Sequence, residues 1–79
     1  MKPSKVVVIG QGYVGLPLAL AIAEAGHEVV GFDLNQDLVR NLSSGQSHIE
    51  DVQDADLVNL IKKSNYRATS NKMDKKRDD

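Results

Sequence analysis

The hexapeptide Gly10-Gln11-Gly12-Tyr13-Val14-Gly15 constrains this chain more than any other feature, because of what flanks it. Before it stands Lys5-Val6-Val7-Val8-Ile9, an apolar β-branched run of the kind found in parallel strands covered on both faces. After it comes Leu16-Pro17-Leu18-Ala19-Leu20-Ala21-Ile22-Ala23-Glu24-Ala25-Gly26, helical in composition and closed by glycine. A second apolar run, Glu28-Val29-Val30-Gly31-Phe32, ends on Asp33, at roughly the 20-residue distance at which an acid is expected after such a motif. A G-x-G-x-x-G pattern by itself is a weak signal. Set between a strand and a helix, with an acid closing the next strand, it predicts a dinucleotide-binding βαβ unit.

The remaining segments extend that unit. The first helix is expected to start near Tyr13 or Val14 and to end near Ala25. Pro17 falls in or near its first turn, where a missing N–H costs little. A second helix opens at Asn35 as N-cap, buries Leu38, Val39 and Leu42, and ends at Gly45. A third fits Asp54 to about Ser64, with Asp54 and Asp56 at its positive end and Lys62 and Lys63 at its negative end. Tyr66-Arg67-Ala68-Thr69 reads as a short third strand. The fold class is α/β: a partial Rossmann-like βαβαβ unit with a parallel sheet, incomplete relative to the full doubly wound domain. Its strands are expected in the order 3-2-1 with helices on both faces, and its open first-strand edge favours self-association. Residues 1–71 read as the amino-terminal part of a dinucleotide-binding domain. Residues 72–79 form a charged tail too poor in apolar side chains to offset the entropy of ordering.

Each motif residue has a physical task. Gly10 lets the chain turn off the strand, Gly12 lets backbone approach a pyrophosphate, and Gly15 permits close helix packing. Amides around Tyr13 and Val14 face the phosphates at the positive end of the helix. No Ser, Thr, Asp or Asn caps this helix start, which leaves its amides to an anion. A carboxylate at Asp33 accepts from ribose hydroxyls and repels a 2′-phosphate, which selects NAD over NADP. The candidate cofactor residues are Gly10, Gln11, Gly12, Tyr13, Val14, Gly15, Asp33 and its neighbour Leu34. Arg40 lies inside the second helix and reads as solvated. His27 reads as a turn residue, and His48 has no companion for a metal site. Glu50, Asp51 and Asp54 read as helix-capping acids.

Composition removes other classes. The formal net charge of −1 offers no attraction for nucleic acid or anionic membrane. Zero cysteines exclude a disulfide, a thiolate metal site and a cysteine nucleophile within these residues. No apolar run approaches the ~20 residues of a membrane span, so the expected location is the cytoplasm. No metal ligand set and no catalytic residue is assigned.

The segment Val8-Ile9-Gly10-Gln11-Gly12-Tyr13-Val14-Gly15-Leu16-Pro17-Leu18-Ala19 closely resembles the start of the nucleotide-sugar 6-dehydrogenases. The Tyr-Val-Gly-Leu-Pro-Leu continuation carries more of that likeness than the glycines do. It persists through Gly26–Asp33, Ser47-His48-Ile49-Glu50-Asp51-Val52 and Arg67-Ala68-Thr69, in a pattern similar to the UDP-N-acetylhexosamine dehydrogenases of surface-polysaccharide biosynthesis. The resemblance implies NAD as cofactor, and a two-fold oxidation of a sugar C6 alcohol to a carboxylate through a cysteine thioester. The thioester cysteine and the UDP-sugar domain belong to sequence that does not occur here. The implied substrate is therefore a partner only of a longer parent, and the 79-residue chain alone is expected to be inactive. Two other readings remain: a non-catalytic nucleotide-binding remnant, and an FAD-type Rossmann segment. Asp33 counts against the second, since those segments usually carry Glu there.

Overall fold

The β-branched stretches become strands and the Ala/Leu-rich stretches become helices, in the expected order. The computed structural model describes residues 4–50 and 52–72. Its elements are β1 (Lys5–Ile9), α1 (Gly15–Glu24), β2 (Glu28–Phe32), α2 (Gln36–Ser43), α3 (Asp54–Lys62) and β3 (Tyr66–Thr69). Asp51 and residues 73–79, which include most of the charged tail, lie outside the described residues.

Local chemistry sets the helix limits. Asn35 caps α2 by accepting from the Leu38 amide at 3.1 Å. Gly26 follows α1 with φ +103°, a backbone that side-chain-bearing residues rarely adopt, and its amide returns to the Ala23 carbonyl. α1 begins at Gly15, later than the expected Tyr13 or Val14, because the glycine turn uses the residues before it. α3 stops at Lys62, short of Ser64, where the backbone swings to φ 61°.

The sheet is parallel, in the order β1-β2-β3, which is the expected 3-2-1 arrangement. Register pairs Val6 with Val29 and Val8 with Gly31, and Val29 with Tyr66 and Gly31 with Ala68. These residues share one face, since side chains alternate along a strand. Against that face pack Leu16, Leu20, Leu42, Leu57 and Leu60, so α1, α2 and α3 all contribute to one core. The expectation of helices on both faces is therefore not met among the described residues. Both crossovers step across the sheet in the same direction, and right-handed connections in that sense lie on one side. Leu16, Leu42 and Leu57 are fully buried, each contributing about 2–3 kcal/mol through area removed from water. At the amino end of the strands, His27 accepts the Ser4 amide on Nδ1 and Asn65 donates to the His27 carbonyl. His27 thus fastens three chain segments at a turn. No described helix is long and apolar enough to cross a membrane.

Candidate dinucleotide-binding site

The site grows from the carboxyl end of β1. Gly10 turns there with φ +88° and donates its amide to the Phe32 carbonyl at 2.7 Å, so the turn is pinned to the end of β2. The chain then crosses to α1. A Cβ on Gly15 would stand 1.7 Å from the Gly10 carbonyl oxygen. The close helix packing that this glycine permits is thus against the turn itself.

Gly12 differs from Gly15. A Cβ there would meet nothing within 4 Å, so the fold leaves open space above it. The amides of Gly12, Tyr13, Val14 and Gly15 donate to no described residue, and no described side chain caps α1. The next amide along, that of Leu16, donates to the Gly12 carbonyl at 3.1 Å. Pro17 has no N–H to satisfy. Several free donors at the positive end of a helix suit an anion with multiple oxygens.

Asp33 stands immediately after β2, half-buried. Its Oδ2 accepts the Gln11 amide at 2.9 Å and its Oδ1 accepts the Asn35 amide at 3.0 Å. A carboxylate offers about four acceptor positions, so capacity remains for hydroxyl donors. The same carboxylate therefore ties the glycine turn to β2. Around these groups the surface is unusually apolar. Of the five exposed large hydrophobic residues among those described, Ile9, Tyr13, Val14 and Leu34 lie at this end of the strands, between 62% and 82% exposed. Arg40 pairs with Asp37 on the outer surface of α2 and does not join the group. His48 is exposed, and Asp54 accepts the Ser47 amide.

Gln11 enters the site from beneath. Its side chain is fully buried: Nε2 donates to the Val8 and Gly10 carbonyls at 3.2 and 2.8 Å, and Oε1 accepts from the Tyr66 hydroxyl at 2.6 Å. Its amide serves Asp33, so this residue supports the turn from within. Tyr66, on β3, is the participant that sequence reasoning missed. The signal that finds it is Gly31. Glycine inside a strand marks a close approach, and a Cβ here would fall 2.2 Å from Gln11 Oε1 and 2.7 Å from the Tyr66 hydroxyl.

Burial, and then the charge of Asp33, push the Tyr66 phenol well above its ordinary range. The hydroxyl is therefore a permanent donor at physiological pH. Below the unfolded value of about 10, folded and unfolded chains both keep this proton. Above it only the unfolded chain ionises, so stability should fall as pH rises. Urea midpoints compared between about pH 9 and about pH 10.5 should drop more in the unaltered chain than in Tyr66→Phe. Equal drops would show that the phenol is not held neutral.

A parallel strand, a glycine turn opening a helix with free amides, and a second strand ending on a carboxylate define the amino-terminal unit of a Rossmann-type, dinucleotide-binding domain. The profile of the UDP-glucose/GDP-mannose dehydrogenase family, NAD binding domain, matches residues 4–78. The chain belongs to that family, and its cofactor is NAD. It is 41% identical to the UDP-glucose 6-dehydrogenase AglM of Haloferax volcanii over 80% of this chain and 15% of that protein. With the UDP-N-acetyl-D-mannosamine dehydrogenase of Escherichia coli it shares 39% identity, covering 78% of this chain and 14% of the relative. The structure of the UDP-D-ManNAc dehydrogenase from Pyrococcus horikoshii superposes with a TM-score of 0.82 at 30% identity, over 89% of this chain and 17% of the other. The chain thus spans about 15% of the length of the curated relatives it matches.

Proposed function

We propose that this chain supplies the adenosine and pyrophosphate side of the NAD site in an enzyme that oxidises the C6 alcohol of a UDP-sugar to a uronic acid, with a UDP-N-acetylhexosamine as the sugar. The observation that carries the binding reading is the row of free amides over residues 12–15 beside open space at Gly12, with the Asp33 carboxylate tied to the same turn. Those amides hold the pyrophosphate, and Gly12 admits it. Asp33 accepts from the adenosine ribose, while Tyr13, Val14 and Leu34 border the cofactor. Bound NAD supplies a hydride acceptor at its nicotinamide. Several relatives named UDP-N-acetyl-D-mannosamine dehydrogenase support the choice of sugar, although AglM is named for UDP-glucose.

The chain contains no thiol, and a thioester route needs one. The 79 residues alone should yield no NADH from UDP-glucose, UDP-N-acetylglucosamine or UDP-N-acetylmannosamine, while a parent carrying the further domains turns over at least one. Turnover by the purified 79-residue chain, free of host dehydrogenase, would overturn this assignment. The missing thiol equally favours a second reading, a nucleotide-binding module without catalysis. Inactivity of the parent on all three sugars would select it. Among the described residues β1 has a strand neighbour on one side only, and Ile9 at its end is 62% exposed. This supports self-association through that edge, which sedimentation across a concentration series tests; a monomer throughout removes it.

Asp33→Asn should narrow the preference for NAD over NADP by on the order of tenfold, because the repulsion of a 2′-phosphate disappears. An asparagine oxygen can keep only one of the two amide bonds with ease, so absolute NAD affinity should fall as well. The ratio of the two dissociation constants from calorimetry is therefore the quantity to compare. Equal affinities in the unaltered chain would remove Asp33 from this role.

A further inference from the structure

A dinucleotide asks nothing of a buried amide beneath the glycine turn, yet Gln11 is among the largest fully buried side chains. We propose that Gln11 and Tyr66 form a positioning clasp through which β3 holds the glycine turn and Asp33 in the arrangement that receives NAD. The proposal rests on the ligand contacts assigned above.

The hydrogen bonds fix the amide in one orientation. Two carbonyls, Val8 and Gly10, face Nε2, and a phenol faces Oε1. Only the nitrogen can donate twice, so the oxygen must point to Tyr66. The Gly10 carbonyl is held by this amide on one side and fits the vacant Cβ position of Gly15 on the other. The backbone of the same glutamine reaches Asp33 Oδ2. A displaced Gln11 therefore moves the turn that precedes the free amides and loosens the carboxylate. Gly31 is what makes room for the clasp, since any side chain there would occupy the Oε1 and phenol positions. A role confined to filling space would be met by an apolar side chain of equal length at position 11 and by Phe at 66.

The test uses the whole chain and three variants, Tyr66→Phe, Gln11→Met and the pair combined. Each is examined in enough sucrose to keep it folded by circular dichroism, because excluded osmolytes favour burial. Two readouts are taken: NAD dissociation constants by calorimetry, and backbone amide shifts of residues 11–15 without ligand. Each single variant should weaken NAD binding about fivefold, the equivalent of one ordinary hydrogen bond, and should move those amide shifts. The double variant should lose little more than the worse single, because both cut the same connection. Tyr66→Phe and Gln11→Met break the bond from opposite ends, so one folded variant suffices to decide. Unchanged affinity with unmoved shifts overturns the clasp, as do strictly additive losses. If neither variant folds even in sucrose, the pair is a folding element and the positioning role is overturned. Failure of the unaltered chain to bind NAD would instead count against the ligand assignment, and the amide shifts would still decide the clasp.

Discussion

Gly12→Val should abolish NAD binding while leaving the fold in place. In the structure a Cβ at this position has no neighbour within 4 Å, and the backbone does not adopt the left-handed conformation that resists side chains. The branched side chain should therefore be accepted by the protein and refused only by what occupies the open space. If that occupant is the pyrophosphate, valine keeps it from the amides of residues 12–15. Losing two charge-assisted hydrogen bonds of about 1.5 kcal/mol each corresponds to an affinity drop on the order of 100-fold. Calorimetric titration gives the affinity, and a thermal melt confirms that the protein is intact. Undiminished binding in a folded Gly12→Val variant would mean that the glycine turn is architectural and the ligand lies elsewhere.

Gly15→Ala should have the opposite profile, an unstable protein from the addition of one methyl group. Its Cβ would lie 1.7 Å from the oxygen and 2.7 Å from the carbon of the Gly10 carbonyl, and both are backbone atoms that no rotamer change can move aside. Relief requires the start of α1 to move off the end of β1, which disturbs Leu16 and the clasped Gly10 carbonyl together. Overpacking of this kind typically costs about 1–3 kcal/mol, and more where backbone must shift. A domain of this size holds only several kcal/mol in total. The melting temperature should fall by about 10–20 °C. An unchanged melt would show that the turn and helix separate freely, and the packing argument for this glycine would not stand.

Most of the fold was legible because its signals are local. Asn35 before an amphipathic segment, Gly26 and Gly45 after helices, and β-branched runs at residues 6–9 and 29–30 each act within a few residues of themselves. The glycine turn and Asp33 were readable for the same reason, since their spacing along the chain is the pattern. Tyr66 was not, because its significance lies in a partner 55 residues away. Spacing along the sequence carries no sign of that pairing, and only Gly31, a gap in an apolar strand, hinted at something pressing on the sheet. The inward course of the Gln11 side chain is hidden from the sequence for a related reason. A polar residue inside a glycine motif reads as facing the phosphates, and only the register of β1, β2 and β3 turns it inward. The placement of all described helices on one face depends likewise on crossover direction, a property of topology that composition does not express.

The distance between Gln11 and Tyr66 also bears on how this unit could be transplanted. A peptide ending just after Leu34 would contain every residue of the recognisable fingerprint, from the glycines to the acid. It would lack the phenol that its glutamine was shaped to meet, and an orphaned amide oxygen would remain in its interior. The smallest portable cassette is accordingly about twice as long as the motif by which such domains are recognised. Grafts that copy only the fingerprint into a foreign scaffold should bind poorly unless the host offers a hydroxyl at the place Tyr66 fills.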